Sequence, residues 1–144
     1  MPNYILRPAT ESDAPQLARL LTELGHPTTS EGIQERWAGW AEAGNGAIVA
    51  EDPDGSLLGV ITLHRMTVLH RPRPVGRITS LVVTASSRGT GLGRSLMTAA
   101  EAALMEAGCG LVEITSHDRR VEAHAFYEHL GYVRTSIRLA RECP

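Results

Sequence analysis

ITSLVVTASSRGTGLGRSLMTAAEAALMEA, residues 78–107, is the stretch on which the fold turns. It opens as an apolar, β-branched run, crosses small and polar residues with glycines at 89, 91 and 93, and closes in an Ala/Leu/Met-rich helical pattern. It reads as a strand, a tight glycine loop and a helix. Such a unit holds an anion: Gly89, Gly91 and Gly93 let backbone N–H groups come close to a ligand, and a helix starting near Gly91 adds its unpaired amides and positive dipole end. A phosphate or pyrophosphate fits there. A Walker loop is excluded because Gly93 is followed by Arg94 rather than by Lys and a hydroxyl residue. A dinucleotide fingerprint is excluded by the even glycine spacing.

Outward from this unit, residues 4–7 read as a short strand ended by Pro8. Thr10 or Ser12 caps a helix carrying Leu17, Leu20, Leu21 and Leu24, which Gly25 stops. A second helical pattern follows the Thr28-Thr29-Ser30 cap, with Ile33, Trp37 and Trp40 on one face and the tryptophans read as core. Residues 47–51 and 57–66 form a hairpin about the turn Asp52-Pro53-Asp54-Gly55. Residues 67–76 are a loop, since Pro72 and Pro74 cannot donate to a ladder. Residues 77–83 are the strand feeding the glycine loop, and residues 92–107 are its helix. A strand at 111–115, parallel to the one before it, a helix at 121–129 and a last strand at 132–139 complete the chain. The fold class is α/β (α+β): a mixed, mostly antiparallel sheet with a central parallel strand pair and helices on both faces. Residues 1–144 read as a single domain.

A formal net charge of −2 gives no basic footprint for nucleic acid. No apolar run has the length of a signal peptide or a membrane span, which points to the cytoplasm and to no membrane partner. Cys109 and Cys143 have neither ligand spacing nor a nearby His pair, so no metal site is expected, and Cys109 reads as core.

A second constellation is AHAFYEHLGY, residues 123–132. On a helix, Phe126 and Leu130 share the core face, while Tyr127 lies a hundred degrees away and either packs or points its hydroxyl into a cleft. Together, Val83 with Arg88-Gly-x-Gly-x-Gly93 and A-x-x-F-Y-E-x-L-G-Y resemble the two signatures of the GNAT superfamily of N-acetyltransferases. The resemblance spans nearly the whole chain and implies the same element order.

It implies acetyl-CoA as donor and a primary amine of a small molecule as acceptor, with direct attack of the amine on the thioester. The pantetheine arm would run along Leu81, Val82 and Val83, with the Val83 N–H near the acetyl oxygen. The pyrophosphate would lie on the amides of Arg88, Gly89, Thr90, Gly91, Leu92, Gly93, Arg94 and Ser95. Tyr127 would be the general acid that protonates the leaving thiolate. Where the family often has Asn, this chain has Arg120; Arg119 and Arg120 either bind coenzyme phosphate or are solvated. Where many members carry a Glu base, four residues before Val83, this chain has Thr79. His64, His117, Glu113 and His26, acting directly or through water, are the substitute bases, while His124 and His129 read as surface residues.

The acceptor site is implied between the first two helices, the 67–76 loop and the last strand. Arg71, Arg73 and Arg77 suit an acceptor with a phosphonate or carboxylate, whereas Glu23, Glu31 and Glu35 suit a polycationic amine such as an aminoglycoside. The short tail after Leu139 suggests a homodimer with a sheet completed across it. Two other readings stay open, a protein or peptide N-acetyltransferase and a non-catalytic acyl-CoA sensor.

Overall fold

Apolar alternation in the middle of the chain dictates a half-buried hairpin, and the whole sheet grows from it. The computed structural model describes residues 3–116 and 120–144. Its strands are β1 (Ile5–Pro8), β2 (Asn45–Glu51), β3 (Leu57–Met66), β4 (Val75–Val83) and β5 (Leu111–Ile114), and its helices are α1 (Ala14–Leu24), α2 (Ser30–Glu42), α3 (Leu92–Glu106) and α4 (Val121–His129). The sheet order is β1-β2-β3-β4-β5. The first three pairings are antiparallel and β4–β5 is parallel.

Period-two alternation sends β3 and β4 side chains to two separate cores. Val49, Leu57, Val60 and Val82 pack under α1 and α2 with Leu17, Leu20 and Ile33. Ile61 and Ile78 pack under α3 with Leu92, Leu96, Met97 and Leu104, and Leu81, Val83, Phe126 and Tyr127 join that side. Trp37 and Trp40 are partly buried and pack against the first core with ring centroids 4.9 Å apart, at its margin rather than inside it, and Cys109 is buried in the second.

Several strand boundaries move. β1 runs one residue later and includes Pro8, β2 begins at Asn45, β5 ends at Ile114, and β4 begins at Val75, so the Pro-rich loop ends two residues sooner than the sequence suggests. A larger correction concerns residues 132–139, which form no strand. Val133, Ile137 and Leu139 alternate as a strand would but are 78%, 84% and 87% exposed, so the segment does not pack its apolar residues on the sheet. The parallel β4–β5 pair therefore lies at one edge of the described sheet and not at its centre.

The start of the chain is clamped by charge. Arg7 donates to both oxygens of Asp13, each at 2.9 Å, and to Glu51 at 2.5 Å. Asp13 also accepts from the Thr10 N–H at 2.8 Å. These bonds hold its carboxyl below the usual 3.8, so its stabilising contribution is complete at neutral pH and is lost as pH falls below that value. Asp13→Asn is expected to cost about 2–4 kcal/mol at pH 7, because Arg7 is left without its main partner. Urea melts at pH 7 and pH 3 should show the difference between the two proteins shrinking in acid.

Candidate active site

The site is built where β4 and β5 part company. Their parallel register ends at Ile78 opposite Ile114, so residues 79–83 of β4 have no strand beside them on that edge among the described residues. The phase of the β3–β4 ladder says which groups this frees. The Thr84 N–H donates to the Leu58 carbonyl at 2.8 Å, so Val82 and Ser80 also face β3, while the N–H and C=O of Leu81 and Val83 point to the open edge. Beyond β5, the buried Ser116 hydroxyl has no hydrogen-bond partner among the described residues.

From Val83 the chain enters a 3₁₀ turn, Ala85–Ser87, that the sequence pattern does not announce. Gly89 and Gly91 follow at φ +76° and +87°, conformations that cost other residues about 1–2 kcal/mol. Gly91 is the N-cap of α3. The amides of Leu92, Gly93 and Arg94 form its first turn and have no intrahelical acceptor, whereas the Ser95 N–H already bonds to Gly91 O at 3.1 Å. Other groups in the loop are also occupied. Leu92 is buried in the core, so only its amide is available; the Thr90 hydroxyl donates to Ser87 O at 2.5 Å; and the Ser95 hydroxyl bonds to Gly91 O at 3.2 Å and to Tyr4 at 3.1 Å. Arg88 donates to the outward-facing Val83 carbonyl at 3.3 Å. Gly91→Ala is expected to weaken binding of a diphosphate ligand more than it lowers stability, readable by calorimetric titration beside thermal melting.

Tyr127 is half-buried on α4, with ring centroids 5.4 Å from Phe126 and 6.4 Å from Tyr132. Burial raises its phenol above the usual 10.0, and the charge of Arg120 pulls against that rise. It is therefore a proton donor at neutral pH. Arg120 is exposed at the N-cap of α4. Neighbouring Tyr132 is spoken for, since its hydroxyl donates to Glu101 at 2.9 Å.

Thr79 is the extra residue of a β-bulge, because Thr62 lies opposite Ser80 and Leu63 opposite Ile78. The Thr62 hydroxyl meets Thr79 Oγ1 at 2.7 Å and also bonds to Ser80 Oγ. This hydroxyl cluster lies on the α1/α2 side of the sheet. Glu113 is tied to Arg77 by two bonds of 2.9 and 2.5 Å. His64 sits at the far end of β3 with Nε2 3.3 Å from Ala43 O, and His26 is exposed between α1 and α2. His117 and Arg119 lie outside the described residues.

An open strand edge, a glycine loop at a helix N-terminus and a protonated tyrosine are thus the chemically distinctive features of the described residues. The model of the Acetyltransferase (GNAT) family matches residues 14–132. The chain belongs to the GNAT family. This GNAT protein is thus an acyltransferase. It is 34% identical over 88 residues to an aminoalkylphosphonate N-acetyltransferase from Salmonella typhimurium, a match covering 61% of this chain and 57% of that relative. It is 29% identical over 133 residues to an aminoglycoside N(6′)-acetyltransferase type 1 from Stenotrophomonas maltophilia, covering 90% and 86%. The crystal structure of a Trypanosoma brucei acetyltransferase superposes with a TM-score of 0.85 at 27% identity, over 97% of this GNAT chain and 99% of the other. No helix among the described residues is long and apolar enough to cross a membrane.

Proposed function

We propose that this protein transfers an acetyl group from acetyl-CoA to the primary amine of a small molecule. The observation that carries the reading is the edge of β4 over residues 79–83, unpaired among the described residues and joined by the glycine loop to the first-turn amides of α3. An amide-bearing pantetheine arm can add to that edge as a short extra strand, with its diphosphate on the helix N-terminus. The outward Val83 N–H then stands where the thioester oxygen would gain negative charge, and Tyr127 supplies a proton to the departing sulfur. Glu113 is held by Arg77 and His64 lies toward the far end of the sheet, so the Thr62–Thr79–Ser80 hydroxyls are the polar groups best placed to order a water beside the amine.

The acceptor is drawn from the chemistry of the two curated relatives, an aminoalkylphosphonate or an aminoglycoside. Of the cations suited to a phosphonate, Arg77 is neutralised by Glu113 and Arg73 lies over Gly110, while Arg71 is exposed. Glu31 and Glu35 remain exposed on α2 for a polycation. Thiol release from acetyl-CoA across aminophosphonates, aminoglycosides, polyamines, amino acids and peptides tests the proposal. Turnover with a small amine supports it, and turnover with peptides alone would make this a protein acetyltransferase. Tight acetyl-CoA binding with no turnover on any of these amines would overturn it.

One catalytic domain, a cytoplasmic location and a homodimer complete the proposal. Both cysteines are free, as in a reducing compartment. The outer edge of β5 is unpaired among the described residues, and Val133, Ile137 and Leu139 are exposed, so a second copy can supply the missing strand contact. Light scattering at monomer mass would remove the dimer.

A further inference from the structure

The coenzyme loop is held from outside by a carboxylate on a different element. Glu23, in the last turn of α1, accepts the Ala85 N–H at 3.1 Å, the first amide of the 3₁₀ turn that opens the loop. Its carboxylate also faces Arg88 at 3.9 Å and Arg19 at 3.8 Å, and Arg19 in turn donates to the Leu57 carbonyl at 2.9 Å. A chain of contacts thus runs from the start of β3 through α1 to the turn between Val83 and the glycines. We propose that Glu23 is a positioning residue for coenzyme binding, fixing the 84–88 turn so that the Val83 edge and the α3 amides are presented together. The inference rests on the acetyl-CoA reading above.

Two opposing effects have to be weighed. A carboxylate near a diphosphate site repels the ligand and competes for Arg88, but an exposed ion pair at 3.9 Å contributes little. A hydrogen bond from a backbone amide to a charged oxygen is stronger and orders the turn directly. Anchoring therefore outweighs competition, which fixes the pattern expected of substitutions. Glu23→Ala removes the acceptor, while Glu23→Gln keeps an oxygen for Ala85 and loses only the charge.

Calorimetric titration of the full chain with acetyl-CoA tests this, with thermal melting as the control for folding. Glu23→Ala should weaken binding about five- to tenfold at an unchanged melting temperature, and Glu23→Gln should bind within about twofold of the unsubstituted protein. Equal binding by Glu23→Ala would overturn the proposal, as would a Gln variant as weak as the Ala one, since the amide contact would then not be what matters. If the unsubstituted protein bound no acetyl-CoA, the function proposed above would fail first and this inference with it.

Discussion

Tyr127→Phe is expected to lower kcat about a hundredfold or more while the dissociation constant for acetyl-CoA stays within about twofold. The ring keeps its place between Phe126 and Tyr132, because only the hydroxyl is lost. Burial raises the phenol, so the acid form persists through neutral pH and activity falls only as pH climbs through the raised value, above about 10. The Phe variant should lack that alkaline fall. Stopped-assay rates from pH 7 to 10.5 on both proteins check the claim, and an unchanged rate at pH 7.5 would remove Tyr127 from the chemistry.

Val83→Pro is the second large expected effect. Its N–H faces the open edge, so proline deletes no bond to β3 and the fold should survive. The same deletion removes the donor proposed to face the thioester oxygen. Losing one such donor costs about 10²–10³ in kcat. Val82→Pro is the matched control, since its N–H points into the β3–β4 ladder; it should damage stability first. Circular dichroism melts beside thiol-release rates separate the two outcomes. If both prolines behaved alike, the assigned phase of the strand would be wrong.

Much of this was readable from the residues because local signals and long-range packing agree. Gly25, Gly55 and Gly91 sit at positive φ where the sequence places its stops and turns, and β3 and α4 have the bounds that their patterns indicate. The misleading stretch was 132–139, where alternation is genuine but a strand also needs a paired neighbour, and pairing is not encoded in periodicity. The bulge at Thr79 left a trace that pattern-reading passed over. Ile78, Leu81 and Val83 share one core, and a spacing of three followed by two signals a slipped register. The candidate site was legible where it is built from backbone, in the glycines and the helix start. Its side-chain components were less so: Thr62 and Ser80 join Thr79 only through cross-strand register, and Glu23 reaches Ala85 across 62 residues of sequence. No local spacing predicts either contact.

The central claim is that the β4 edge and the α3 N-terminus form one coenzyme site. Titrating acetyl-CoA into ¹⁵N-labelled protein and following backbone amide resonances tests it most directly. The account predicts the largest shifts at Leu81 and Val83 and across residues 88–95, with Val82 moving less because its amide is bonded to β3. Shifts confined to α2 and β1, or none at all at saturating coenzyme, would contradict it.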